Sequence, residues 1–481
     1  MNFQIIFFTL GVLLLTLGFA LVFPFMLDYV EGAQNAEAFG WSALIAIFFG
    51  GGLCISNTSF KRELTIKQAF FLTTMSWLLI CGFAAIPMCI SDLQLSYTDA
   101  FFESVSGFTT TGSTVLSGLD TMSRGIILWR AILQWIGGLG IIAFAMILLP
   151  FLNIGGMQLF RAESSDKSDK IMPKTIDIVW SILYVYIILT VACTLTYHFL
   201  GMGKFDAMVH AMATLPTGGF SSHDSSFGHF NSYALDMAGT FFMLMGGLPF
   251  ILFVKLFYQG KFDFFKDVQV KTLLFILGLT IGLTTLYLWV NDYHTLANSF
   301  RFAAFNIVSV ITTTGFATTD YLAWGPFAIA LFLFITYIGC CAGSTSGGIK
   351  MLRINIAFQA LNHHMKTLIF PNGVFTSTYQ KKPLTNDVIN TVMGFLFLYV
   401  LTNVVITIAL SFTGLDFMTS LSGAATAIGN VGPGATNLIG PVGNFTTLND
   451  PAKWILSIGM LLGRLEIMTV LVLFMPSFWR N

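Results

Sequence analysis

ESVSGFTTTGS (Glu103–Ser113), HAMATLPTGGF (His210–Phe220), NIVSVITTTGF (Asn306–Phe316) and GAATAIGNVGP (Gly423–Pro433) align without a gap. Each is a short, mostly apolar stretch that ends at a small or polar pair followed by glycine. The aligned glycines, Gly112, Gly219, Gly315 and Gly432, are spaced by 107, 96 and 117 residues, so the chain repeats itself four times. One Thr-Thr-Gly carries little information; four such turns at equivalent places carry a great deal. Glycine lets the backbone turn where an L side chain would clash. Four strips of inward-facing carbonyls around one axis can replace the hydration shell of a cation.

The rest of the chain places these turns in a membrane. Of 481 residues, 55% are apolar and 10% charged, with mean hydropathy +0.79; soluble domains carry about a quarter charged residues. Fifty Phe and forty-five Gly fit helices packed against lipid and each other. The net charge is zero, so nothing points to nucleic acid or an acidic ligand. The six cysteines (Cys54, Cys81, Cys89, Cys193, Cys340 and Cys341) lie in or beside apolar segments without a Cys-x-x-Cys pair, and read as small core residues. The run Phe3–Leu27 is too long for a signal-peptide core and lacks a basic start, so it reads as a retained first helix.

Runs long enough to cross a bilayer lie near 4–27, 39–56, 69–91, 125–150, 177–200, 236–257, 272–290, 325–348, 388–412 and 453–477. The four strips fall between the third and fourth, fifth and sixth, seventh and eighth, and ninth and tenth. The apolar pieces before them (99–109, 205–215, 298–311 and 416–428) are too short to cross and suit re-entrant half-helices. The expected fold is therefore an all-α integral membrane protein. Four tandem helix–pore-loop–helix repeats surround one pore, and two extra N-terminal transmembrane helices precede them. The corresponding division is 1–60 for the N-terminal pair, then 61–160, 161–262, 263–370 (with a broken second helix) and 371–481 for the repeats. The second helix of each repeat carries a weaker echo: GGLG from Gly137, GGLP from Gly246, GSTS from Gly343 and GRLE from Gly463.

With the N-terminus in the cytoplasm, 17 of the 23 Lys and Arg fall in cytoplasmic loops, and the strips lie near the outer face. Asp28, Glu31, Glu37, Asp92, Asp120, Asp224, Asp292, Asp320 and Asp450 then also lie outside, where they either raise the local cation concentration or are ordinary loop charges.

CCAGSTSGGIK (Cys340–Lys350) interrupts the eighth span with small residues. Glycine costs about 1 kcal/mol in a helix interior, so this stretch is not expected to be regular helix. An intramembrane gate beneath the filter (Gly343, Ser344, Thr345, Ser346, Gly347, Gly348) is favoured over a close-packing site for a neighbouring helix. A phosphate loop is excluded because Lys350 comes too late after the glycines. It is expected to be the only broken helix. Arg464 sits inside the last span with Glu466 two residues on. A charge at that depth must face water or a partner, and residues two apart do not share a helix face. Glu103, His210 and Asn306, each nine residues before a strip glycine, are placed to brace the pore helices. His223, Asp224 and His229 follow the second strip, where loop polarity is the simpler reading and a surface cation site the alternative. His363-His364 lacks the spacing of a helical metal site. Arg161–Lys174 is the most polar run and reads as a docking surface for a cytosolic partner or as a solvated loop.

These motifs resemble the Trk/Ktr/HKT superfamily of potassium transporters over essentially the whole length, and most of all its bacterial Trk branch, which has the extra N-terminal pair. The resemblance implies a selectivity filter made of Thr110-Thr111-Gly112-Ser113, Thr217-Gly218-Gly219-Phe220, Thr313-Thr314-Gly315-Phe316 and Asn430-Val431-Gly432-Pro433. Potassium would be held at the carbonyls of Thr110, Thr111, Thr217, Gly218, Thr313, Thr314, Asn430 and Val431. The fourth strip departs most from the family pattern. Glycine at 112 favours potassium in this family, whereas plant relatives with serine there admit sodium. The resemblance also implies that Arg464 stands in the pore beneath the filter. It further implies a homodimer with one pore per subunit in the inner (plasma) membrane, and a separately encoded cytosolic nucleotide-binding regulatory ring of the TrkA type. Each strip mostly lacks the second glycine of a TVGYG filter, so potassium and rubidium are expected to pass with only moderate discrimination against sodium. The alternative is a secondary active transporter coupling potassium to protons or sodium, with Glu466 as its intramembrane carboxylate. No paired carboxylates, Ser-His-Asp set or metal cluster occupies a plausible catalytic pocket, so an enzyme is not expected. No cofactor other than the transported ion is expected.

Overall fold

A computed structural model describes residues 3–58, 65–147, 175–373, 375, 378–380 and 382–480. The polar run Arg161–Lys174 lies outside the described residues.

Among the described residues, seven helices are long and apolar enough to cross a membrane: Gln4–Glu31, Ala36–Ser56, Ile66–Ile90, Arg124–Ile142, Val179–Phe199, Val268–Val290 and Asn386–Phe412. Two further spans are bent pairs: Tyr233–Gly247 with Phe250–Gln259, at 93°, and Asp450–Arg464 with Ile467–Phe474, at 108°. The expected eighth span holds a ten-residue helix, Pro326–Ile335; non-helical backbone follows to Lys350, and a helix resumes over Met351–Ile369.

The broken eighth span is thus as expected, but it is not the only one. In the sixth, Pro249 supplies no backbone N–H. In the tenth, Glu466 has a φ of +63°. Both breaks fall at the GGLP and GRLE echoes, so the echo marks an interruption in these two repeats. In the first repeat the helix Arg124–Ile147 runs through GGLG unbroken.

Between the spans lie four short helices: Tyr97–Phe108, Lys204–Thr214, Leu296–Ile311 and Phe417–Gly429. Their N-termini are set by sequence. Ser96 accepts from the Asp99 N–H and Asp416 from the Thr419 N–H. The Thr419 bonds hold the Asp416 carboxyl below its usual range. Each short helix ends three residues or fewer before its strip's first expected ligand, so four helix C-termini, with their partial negative charge, converge on the strips.

Packing closes the repeats into a ring. One buried apolar cluster joins the N-terminal pair and the first repeat to the fourth repeat through Leu14, Phe39, Phe102 and Trp129 with Phe395, Ile428 and Met460. A second joins the second and third repeats through Tyr186, Phe242, Phe250, Phe305 and Phe332. The N-terminal helices cross at Gly11 and Gly50, where a Cβ on either would stand 2.8 Å from the other's carbonyl oxygen. All six cysteines are free thiols.

Candidate functional site

The four strips share one backbone conformation. Thr110, Thr217, Thr313 and Asn430 have φ of +54°, +55°, +59° and +54°. Left-handed backbone is rare for a β-branched residue such as Thr, and it recurs here at every equivalent position. Two hydrogen bonds back to the short helix fix it. The N–H of Thr110, Thr217, Thr313 and Asn430 donates to the carbonyl three residues earlier over 3.0, 3.0, 2.9 and 3.3 Å. The next N–H, of Thr111, Gly218, Thr314 and Val431, donates to the carbonyl five residues earlier over 2.8, 2.8, 2.8 and 3.1 Å. The donors are thereby used inward toward the helix. The fourth strip, which departs most in sequence, keeps the conformation because Asn tolerates it.

The strips touch in cyclic order. A Cβ on Gly112 would strike the Gly218 carbonyl, one on Gly219 the Thr314 carbonyl, and one on Gly315 the Val431 carbonyl. On Gly432 it would stand 2.7 Å from the Thr111 carbonyl oxygen. The fourth contact returns to the first strip, so the ring is closed. Side chains reinforce it. Ser113 Oγ donates to the Gly432 carbonyl over 2.9 Å, and Asn430 Nδ2 donates to Thr111 Oγ1 over 3.0 Å. Gln134, not singled out in the sequence, donates from Nε2 to the Gly218 carbonyl over 2.6 Å and accepts from the Phe220 N–H over 3.1 Å.

Glu103, His210 and Asn306 do brace the backbone just beyond the glycines. Glu103 accepts from the Val115 N–H over 2.9 Å, and His210 Nε2 is 2.9 Å from Ser221 Oγ. Asn306 accepts from the Thr318 N–H over 3.2 Å and donates to Thr318 Oγ1 over 2.9 Å. Glu103 also pairs with Arg130 over 2.8 Å, and the Arg130 guanidinium lies 4.0 Å from the Phe220 ring centre. The short helices meet the second helices of their repeats through the same local carbonyl. Gly137, Gly246 and Gly463 approach those of Phe108, Leu215 and Ile428 too closely for a Cβ to fit without a shift. In the third repeat Cys340, rather than the expected Gly343, takes this place, with Sγ 3.4 Å from the Ile311 carbonyl oxygen.

The segment 336–350 lies directly against the strips. Gly347 N–H donates to Thr313 Oγ1 over 2.7 Å, Thr217 and Thr345 hydroxyls are 3.3 Å apart, and Gly347 abuts the Gly429 carbonyl. Part of its backbone is satisfied by the break in the sixth span. Thr345 and Cys341 N–H donate to the carbonyls of Gly246 and Gly247 over 3.2 Å each, and Phe250 N–H donates to the Gly343 carbonyl over 3.0 Å. Non-helical backbone survives at membrane depth only when its polar groups are met in this way. Thr345 Oγ1 further reaches the carbonyls of Leu215 (3.0 Å) and Gly246 (2.9 Å), and Gln269 accepts from the Ala342 N–H over 2.8 Å.

Arg464 is buried and donates from Nη1 to the Thr345 carbonyl over 2.8 Å; its Nε and Nη2 have no hydrogen-bond partner among the described residues. It does not pair with Glu466, as the spacing predicted. Glu466 instead pairs with Arg353 over 2.7 Å, and the Arg353 guanidinium lies 3.6 Å from the Phe395 ring centre. Lys350 donates to the Ser346 carbonyl. Lys350 and Arg353 counted only as loop charges in the sequence; their nearness to the small-residue segment was the available signal. A cavity on this side of the ring is lined by Gly343, Ser344, Ser346, Gly347, Arg464 and Glu466. Another on the opposite side is lined by Gly112, Gly219, Gly315 and Gly432. The ring and the segment 336–350 therefore separate two cavities.

The family model described as a cation transport protein, TrkH, matches residues 35–481. The chain is 45% identical to the Trk system potassium uptake protein TrkI of Halomonas elongata, over 98% of this chain and 96% of that protein. It is 37% identical to TrkH of Escherichia coli over the full length of both. The crystal structure of the potassium transporter TrkH from Vibrio parahaemolyticus superposes with a TM-score of 0.92 at 35% identity, covering all of both chains. A multi-span membrane protein with this four-fold layout and these relatives over its full length belongs to the TrkH family of cation transport proteins.

Proposed function

We propose that this chain takes up potassium across the inner (plasma) membrane through a gated, channel-like pore that passes K+ and Rb+ with moderate preference over Na+. The observation that carries the reading is the closed ring of four equivalent strips. Their amides are tied back to the short helices, which leaves Thr110, Thr111, Thr217, Thr313, Thr314, Asn430 and Val431, together with the second lone pair of the Gly218 carbonyl that Gln134 engages, to offer oxygens to a dehydrated cation. Converging helix C-termini favour the same charge. The segment Gly343–Gly348 is the gate, and Arg464 is a fixed positive charge on its far side. The repeats divide at the boundaries given above, and the N-terminus is cytoplasmic. The working assembly is a homodimer with one pore per subunit, held closed or open by a cytosolic nucleotide-binding ring of the TrkA type. The names of the relatives, potassium uptake proteins of the Trk system, support the cargo.

A second reading has its own observation. Three spans are interrupted, and Glu466 is buried at one of the breaks. Discontinuous helices and an intramembrane carboxylate are the hallmarks of coupled transporters, so coupling of K+ to H+ or Na+ is the competing mechanism.

Ion flux into proteoliposomes holding the chain alone separates the two. With voltage clamped and no proton gradient, K+ and Rb+ flux that follows the electrochemical gradient, exceeds Na+ and Li+ flux, and rises on deletion of Gly343–Gly348 is the expected result. Flux that requires a proton or sodium gradient overturns the channel reading in favour of the coupled one.

A further inference from the structure

Asp120, His223 and His229 come from two different repeats, yet their ligand atoms all lie within 4.8 Å of one another. Asp120 sits in the turn Leu119–Thr121 that follows the first strip. His223 lies four residues past Gly219, and His229 in the turn Ser226–Phe230. Asp120 Oδ1 is 2.5 Å from His223 Nδ1 and 3.9 Å from His229 Nδ1. The two imidazoles are parallel within 3°, with centres 3.5 Å apart, and the Phe230 ring stands edge-on to both at 5.3 and 5.2 Å. The opposite nitrogen of His223, Nε2, is buried, makes no hydrogen bond among the described residues and lies 3.7 Å from the Asp206 carboxylate. Asp224 ties the two turns together, accepting from the N–H of Gly118 and Leu119 over 2.9 and 3.1 Å.

We propose that Asp120, His223 and His229 form an inhibitory site for a transition-metal dication, Zn2+ foremost, at the mouth of the pore. Two imidazoles and one carboxylate, with a further position open to water, are a zinc donor set; because the stacked rings point their lone pairs in parallel, binding at about 2.0–2.2 Å requires the exposed His229 ring to turn out of the stack toward Asp120. Imidazole favours Zn2+, Ni2+ or Cu2+ over Mg2+ and Ca2+. His223 lines the same cavity as Gly112, Gly219, Gly315 and Gly432. A bound dication therefore adds two positive charges beside the entering ion and clamps the first strip's outer turn to the second's. Both effects oppose flux.

The flux half of this proposal rests on the reading of the chain as a cation pore; the binding half does not. The test begins with ZnCl2 titrated calorimetrically into the purified full-length chain. Saturable binding of one Zn2+ per chain, on the order of 10 μM, is expected. Asp120→Ala and His229→Ala should each weaken it by about tenfold or more. Both side chains are nearly half exposed, at 45%, so the variants should keep the parent's melting temperature. Absence of saturable binding, or binding unchanged in both variants, overturns the site. Rb+ flux into proteoliposomes is then measured with Zn2+, with Mg2+ or Ca2+, and after chelation. A fall of about fivefold with Zn2+ alone, reversed by chelator and absent in His229→Ala, is expected. Zinc bound at this site with flux unchanged overturns its inhibitory role. Absence of Rb+ flux even without zinc would count against the pore reading, and the titration would still decide the metal site.

Discussion

The Nη1 of Arg464 donates to the Thr345 carbonyl over 2.8 Å, joining the break in the fourth repeat to the loop of the third. Both residues are buried, and the rest of the guanidinium faces a cavity shared with Glu466 and the small-residue segment. The arrangement has a polar and an electrostatic side. The bond holds the loop against the strips, and on the proposed pore reading the charge would repel a cation that has passed them.

Replacing Arg464 removes both effects. A unit charge at roughly 8 Å opposes another by about 2 kcal/mol at an effective dielectric of 20, or roughly thirtyfold in rate. Arg464→Gln should therefore raise Rb+ flux into proteoliposomes by one to two orders of magnitude, and Arg464→Lys much less. Equal flux in parent and Gln variant would remove Arg464 from the gate.

Thr345→Val tests the loop without touching the charge. The hydroxyl that reaches the Leu215 and Gly246 carbonyls is lost while the shape is kept. Leaving buried acceptors unmet costs about 1–3 kcal/mol, so the docked loop should be populated less by about fivefold or more. Single-channel recording should show a higher open probability with unchanged unit conductance. A changed conductance with unchanged open probability would place Thr345 in the permeation path instead.

Much of this was legible in the sequence where the signal is local. The glycine alignment located the strips, segment length separated half-helices from spans, and the position nine residues before each glycine marked Glu103, His210 and Asn306. Contacts between repeats left no local trace. Arg353 reaches Glu466 across 113 residues and Gln134 reaches Gly218 across 84, so neither pairing has a spacing to read. The left-handed Thr110, Thr217 and Thr313 were invisible because threonine does not advertise that conformation. The interruptions of the sixth and tenth spans are masked by apolar run length: in the sixth it outweighs one helix breaker, Pro249, and in the tenth the left-handed Glu466 has no sequence signal. In the third repeat the glycine echo does not mark this contact: Cys340 meets the equivalent carbonyl through its Sγ, not by the close backbone approach that glycine allows.

The ring of glycines should not be uniformly sensitive. A Cβ at Gly219, Gly315 or Gly112 collides with the backbone carbonyl of the next strip, while at Gly432 it would stand 2.7 Å from the Thr111 carbonyl oxygen. Left-handed backbone adds roughly 1–2 kcal/mol for any L residue. Alanine at Gly219 or Gly315 should abolish Rb+ flux or lower the Rb+/Na+ flux ratio most, and alanine at Gly432 least. Gly112→Ser should pass Na+ nearly as well as Rb+. A Gly432 variant as damaged as Gly219→Ala would show that collision with the neighbouring strip is not what sets the tolerance.

The pair Glu103–Arg130 offers the sharpest test of how the mouth is held. Glu103 is fully buried, and its carboxylate meets Arg130 Nε over 2.8 Å, the Val115 N–H and the Thr114 hydroxyl. Arg130 also donates from Nη1 to the Ser221 carbonyl over 3.0 Å, so one side chain spans the first and second strips. Breaking a buried pair by removing one partner costs about 3–5 kcal/mol, because the other charge stays behind without compensation. Glu103→Ala and Arg130→Ala should each lower the melting temperature of the detergent-solubilised protein substantially. The double variant should lose clearly less than the two single losses combined, since no lone charge remains. Additive losses would mean that each residue acts through its other contacts, Glu103 on Val115 and Arg130 on Ser221 and Phe220, and that the ion pair itself contributes little to holding the two strips together.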